Sequence, residues 1–336
     1  MVSRWQLVLQ WVRFEKRLEL MMSSRDRIDP ELMPLVEMSA EWSAATLPAQ
    51  REALDAMGQA VGAIPLPDMT RAELRAIDGP DGAPPVQLLI MTPTASAGKM
   101  PAILHIHGGG FVAGSAQLYR PQLASLSAQL DAVIVSVNYR LAPETIFPGA
   151  IEDCFAALKW LFAQAEELGV DRERIVVAGE SAGGGLAAAL AILARDRGVG
   201  PLVAQMLAFP MLDDRTGSTR DAGDFVGEFV WTAADNKFGW SSLLGRSPGD
   251  NEVSPYAAPA RCEDLSGLPP AFIAVGDLDL FLEENLEYAR RLARAGVPIE
   301  LKVYPGAVHG FMLVETSRAA RLYAADQRAA YLRAFG

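Results

Sequence analysis

Residues 174–186 read Arg174-Ile175-Val176-Val177-Ala178-Gly179-Glu180-Ser181-Ala182-Gly183-Gly184-Gly185-Leu186. An apolar, β-branched run turns there, without any intervening loop, into a glycine- and alanine-rich helical stretch. The first part has the composition of a buried parallel strand. Between strand and helix the pattern Gly-x-Ser-x-Gly sets a single serine, Ser181, on a sharp turn where its hydroxyl clears the sheet. The glycines suit a strained turn and a helix packed close against neighbouring strands. At the helix N-terminus the backbone N–H of Ala182 points toward any oxyanion formed beside Ser181. The pattern by itself also describes an ordinary strand-to-helix turn. With strand and helix both flanking it, Ser181 reads as a nucleophile.

Outward from this point, further strands are expected at Val86–Met91 (an edge strand), Pro101–Ile106, Ala132–Val137, Ala204–Phe209, Ala271–Val275 and Glu300–Val303. Helical patterns lie between most of them, notably Gly149–Leu168 before Gly169 and Leu282–Ala295 before Gly296. Strands alternating with helices give an α/β fold, a mostly parallel central sheet with helices on both faces. The first eighty residues read as helical. Trp5, Val8, Leu9 and Val12 fall at helical spacing, and charges alternate from Glu15 to Arg27. Residues 215–254 carry no strand signal but crowd together Phe225, Phe229, Val230, Trp231, Phe238 and Trp240. The expected organisation is a helical cap segment over residues 1–76 and a catalytic domain over 77–336, with 215–254 as a second cap insertion.

The chain has 336 residues, half of them hydrophobic, and a formal charge of −11, with no basic face to serve a nucleic-acid partner. Its two cysteines, Cys154 and Cys262, are too few for a disulfide framework and read as buried free thiols. No apolar run reaches transmembrane length, so no stable membrane insertion is expected. Gln6, Gln10 and Arg13 interrupt the apolar N-terminus and no small-residue cleavage site follows, which reads as a cytoplasmic protein. The stretch up to Leu20 leaves a homodimer open.

His107-Gly108-Gly109-Gly110-Phe111 follows directly on a strand. Three successive glycines leave backbone N–H groups unobstructed, as an oxyanion hole requires. A phosphate-cradling loop would need a Walker-type lysine, and none follows. The chain has three histidines. His105 lies within a strand and reads as a satisfied core residue, and His107 as a residue that shapes the glycine loop. His309 lies after the last strand, where a base must hang to reach a serine at the sheet's C-terminal edge. The orienting acid is expected between Ser181 and His309, just after a strand, where Gly276-Asp277-Leu278-Asp279 offers two candidates.

Taken together, His107–Phe111, Gly179–Gly184, Tyr139-Arg140-Leu141-Ala142-Pro143-Glu144 with Phe147-Pro148, and His309-Gly310-Phe311 resemble the signatures of the hormone-sensitive-lipase family of α/β-hydrolases, the bacterial family IV carboxylesterases. The resemblance covers roughly residue 80 to the C-terminus. It implies an α/β-hydrolase fold with Ser181 as nucleophile, His309 as base and Asp279 as acid. It also implies Gly109, Gly110 and Ala182 as oxyanion donors. The acid segment reads Asp279-Leu280-Phe281 where the family usually has Asp-Pro-Leu, and the elbow carries Glu180 where many members have Asp. The longer type-B carboxylesterases share two of the motifs but use a glutamate acid and lack the Tyr139–Glu144 stretch. The implied activity is hydrolysis of short- to medium-chain acyl esters through an acyl-enzyme, on a small-molecule ester substrate and without metal or organic cofactor. The same site serves an amidase or a lactone hydrolase. A non-catalytic ligand-binding member of the fold is the remaining alternative.

Overall fold

The β-branched runs of the sequence fill one sheet. A computed structural model describes residues 24–66, 68–96 and 98–336. The expected first helix at Trp5–Val12 lies outside the described residues. In chain order come α1 (Met33–Met38), α2 (Leu47–Gly62), β1 (Thr70–Ile77), β2 (Val86–Pro93), β3 (Met100–Ile106) and α3 (Arg120–Leu130). There follow β4 (Val133–Asn138), α4 (Gly149–Ala163), β5 (Val170–Glu180), α5 (Ala182–Asp196) and β6 (Ala204–Ala208). The chain ends through α6 (Ala233–Leu244), β7 (Ala271–Gly276), α7 (Leu282–Arg294), β8 (Ile299–Tyr304) and α8 (Arg318–Phe335).

The strands form one eight-stranded sheet in the order β1-β2-β4-β3-β5-β6-β7-β8. β2 runs antiparallel to β1 and β4, and from β4 onward neighbouring strands are parallel. β3 and β7 are buried along their whole lengths, and β5 from Ile175 to Glu180, because helices cover both faces there and leave those strand positions no water. Helices α4 and α5 pack on one face, and α3 and α8 on the other. Since β3 and β5 to β8 all point the same way, the loops that leave them gather along one edge. That edge is where ligands bind in open parallel sheets.

Two expectations are corrected. Val86–Met91 is not the edge strand: β1 lies outside it, pairing Thr70 with Pro93 through Ile77 with Val86. The sheet therefore begins inside the stretch expected to be helical over residues 1–76. Arg71, Glu73 and Arg75 alternate along β1, a pattern that suits an exposed strand as well as a helix face. Tertiary pairing to β2 decides between the two. Helix α4 stops at Ala163 rather than Leu168, and turns carry the chain to Gly169. Cys154 and Cys262 are both free and buried. Among the described residues, no helix is long and apolar enough to cross a membrane.

Candidate active site

Ser181 is the N-cap of α5, with φ 54° and ψ −121°, a backbone conformation that costs a non-glycine residue on the order of 1–3 kcal/mol. Surrounding contacts hold it there. Its N–H donates to Ala208 O at 2.9 Å, and its carbonyl accepts from Met211 at 3.0 Å and Gly185 at 3.0 Å. The glycine after it is sterically required, since a Cβ at Gly183 would lie 2.0 Å from Ile106 O. Alanine-rich α5 can thus approach β3 more closely than larger side chains permit.

His309 reaches Ser181 from the loop after β8. Its Nε2 lies 2.9 Å from Ser181 Oγ and its Nδ1 lies 2.8 Å from Asp279 Oδ2. Asp279 is fully buried, and its other oxygen accepts the Phe281 N–H at 2.9 Å. With Asp279 ionised, Nδ1 carries the ring proton and Nε2 is left to accept from the serine hydroxyl. Asp277 does not join this line. Its Oδ1 accepts the Gly306 N–H at 2.7 Å, and its Oδ2 faces Arg27 at 3.3 Å.

The loop after β3 passes close to the elbow, because β3 and β5 are neighbours paired Ile106 with Gly179. A Cβ at Gly108 would lie 3.5 Å from that of Ser181. Among the described residues, no group accepts the N–H of Gly109 or Gly110, and Ala182, as the first residue of α5, has no partner within its helix. Gly110 adopts φ 60°, and a Cβ there would lie 2.3 Å from Trp231 Cη2. His107 points away from the serine. Its ring stacks on Tyr139 at 4.3 Å with Nδ1 2.8 Å from Gly108 O, and burial pushes its pKa down to about 4. Tyr139 in turn donates its hydroxyl to His107 O at 3.0 Å, bracing the glycine loop from below. His105 lies in the core between Ser136 (2.7 Å) and Glu180 (2.9 Å).

Three aromatic side chains were not singled out as site residues from the sequence. Phe209 and Phe281 meet the His309 ring edge-on at 4.8 and 5.2 Å, and Trp231 lies 6.2 Å from it. Trp231 stood within the aromatic-rich interval, whereas Phe209 read only as the end of a strand and Phe281 only as part of the acid segment Asp279-Leu280-Phe281. Ser181 and His309 are each only 7% exposed beneath these rings. Low polarity there strengthens the interactions among Ser181, His309 and the loop N–H groups. Among the described residues, no group of three or more His, Cys, Asp or Glu is placed to hold a metal ion.

Comparison with known proteins identifies the family to which the chain belongs. The alpha/beta hydrolase fold family matches residues 103–313. Esterase LipI of Mycobacterium tuberculosis is 38% identical over 242 residues, covering 70% of this chain and 73% of that protein. Carboxylesterase NlhH of the same species is 37% identical over 249 residues, 74% of this chain and 77% of that protein. A solved bacterial heroin esterase superposes with a TM-score of 0.86 at 41% identity, covering 93% of this chain and 99% of that one. The chain belongs to the alpha/beta hydrolase fold family, within its hormone-sensitive-lipase-like family IV esterases.

Proposed function

We propose that this carboxylic ester hydrolase works through Ser181 as nucleophile, His309 as general base and Asp279 as the acid that orients it. The observation that carries the proposal is the continuous hydrogen-bonded line from Ser181 Oγ through His309 to buried Asp279, at 2.9 and 2.8 Å. As Ser181 Oγ bonds to the acyl carbon, its proton passes to His309 Nε2, and Asp279 stabilises the imidazolium. Negative charge collects on the former carbonyl oxygen, where the N–H groups of Gly109, Gly110 and Ala182 receive it. His309 then protonates the leaving alcohol. A water deprotonated by the same ring hydrolyses the acyl-enzyme and frees Ser181.

Short- to medium-chain acyl esters are the proposed substrates, in keeping with a serine closed in by Trp231, Phe209 and Phe281. The segment before the main sheet and residues 215–254 form the proposed cap that shapes this pocket. Support comes from contacts between the two: the Trp42 ring lies 6.3 Å from that of Trp231, and the Trp42 backbone N–H donates to Asp235 Oδ1 at 2.7 Å. Ser24 reaches Glu228 at 2.8 Å.

A chain-length series of p-nitrophenyl esters, run beside matched p-nitroanilides on wild type and Ser181→Ala, tests the reading. Ester turnover peaking at short to medium acyl chains, far above anilide turnover, is expected. Ser181→Ala should lower kcat by about 10⁵–10⁶-fold with its melting temperature kept. A folded Ser181→Ala enzyme near the wild-type rate removes the serine mechanism, and a preference for the anilides replaces the esterase reading with an amidase.

A further inference from the structure

On the opposite face of the sheet from α5, a cavity of about 360 Å³ opens between α3 and α8. None of the residues on the Ser181–His309–Asp279 line borders it. Its walls are largely apolar, with Leu123 and Leu126 from one helix and Tyr323 and Tyr331 from the other. Its polar floor is built from Glu180, His105 and Tyr119.

Glu180 is the residue before Ser181, yet its side chain lies on this face and is only 9% exposed. Oε2 takes the His105 Nε2 contact at 2.9 Å, while Oε1 has no partner among the described residues. On the cavity floor that carboxylate oxygen is open to a donor carried by a ligand. Tyr119 brings the converse. Its hydroxyl oxygen accepts the Gly108 N–H at 3.3 Å, and its own proton has no acceptor among the described residues. Burial first, and the Glu180 charge second, raise its pKa and keep that proton in place.

We propose that this cavity binds a neutral alcohol or phenol with an apolar body, its hydroxyl donating to Glu180 Oε1 and accepting from Tyr119. A hydroxyl combines one donor with acceptor lone pairs, which matches the two floor groups. An ammonium offers donors only, and it would enter past Arg321 and Arg328, which also line the cavity. The cavity does not include Ser181 but abuts it through the backbone, since Tyr119 holds Gly108 of the glycine loop and Glu180 precedes the serine.

Calorimetric titration of 2-naphthol into the full chain tests this, with 2-methoxynaphthalene as a probe of the same shape that lacks the donor. Ala324→Trp and Ser125→Trp each place a bulky ring in the lining from an exposed position, so the core is not disturbed. Unchanged melting temperature and unchanged ester turnover in the absence of naphthol serve as the controls for folding. One naphthol site is expected in wild type, weakened at least tenfold in either variant, and at least tenfold weaker for the methyl ether. Absence of naphthol binding, equal affinity in folded Trp variants, or equal affinity for the ether each overturns the proposal. Binding that both Trp variants retain would place the naphthol elsewhere, above Ser181 included.

Discussion

Asp277 and Asp279 stand two residues apart on the loop that leaves β7, and replacing each by asparagine separates their roles. Asp279 Oδ1 accepts from the Phe281 N–H at 2.9 Å, so an asparagine there must keep its carbonyl oxygen on Phe281. Its NH₂ group then faces His309 Nδ1, 2.8 Å away in the wild type. Nδ1 must become the acceptor, the ring proton moves to Nε2, and Nε2 can no longer take a proton from Ser181. The same tautomer inversion in serine proteases costs about 10⁴ in kcat, which corresponds to about 5 kcal/mol of transition-state stabilisation. Asp277→Asn loses far less. The Gly306 N–H keeps an oxygen acceptor, and the broken ion pair with Arg27 joins side chains 48% and 27% exposed. Such a pair contributes at most about 1 kcal/mol to stability, and kcat should stay near wild type. The assay is kcat on p-nitrophenyl butyrate at fixed pH, with melting temperatures for both variants. An Asp279→Asn enzyme that is folded and within tenfold of wild type refutes the reasoning, as does a crippled Asp277→Asn.

Two further outcomes are expected. Buried His107 titrates at about 4 in the native protein but near 6.5 when unfolded, so between those values the unfolded chain binds the extra proton. Stability therefore falls as pH drops through this window, by on the order of 3 kcal/mol for this group. Urea unfolding at pH 7 and pH 4.5 should show a smaller loss in His107→Gln, and equal losses would contradict the assignment. If Gly110 is the oxyanion donor proposed above, Gly110→Ala should lower kcat by about 10²–10³-fold, since a Cβ 2.3 Å from Trp231 at φ 60° must displace its N–H. Adding Trp231→Ala should restore part of that loss by relieving the clash; no recovery would mean that backbone strain alone is responsible.

The sequence by itself determined the elbow. A β-branched run, a serine between glycines and an alanine-rich helix are local features, and local sterics leave them one arrangement. The alternation of strands and helices likewise carried the parallel sheet, because full burial on both faces demands uninterrupted apolar strands. Only the tertiary structure decided matters that depend on a distant partner. Thr70–Ile77 has a charge pattern compatible with helix or strand, and its pairing with β2 settles it as the sheet edge. Asp277 and Asp279 are chemically alike in the chain. They diverge because Gly306 and Arg27 occupy the first, while burial beside Phe281 turns the second toward His309. Trp231 comes to lie against Gly110, and Glu180 turns away from Ser181 onto the opposite face of the sheet. No window of sequence contains such contacts, because the residues that make them are brought together only when the sheet closes.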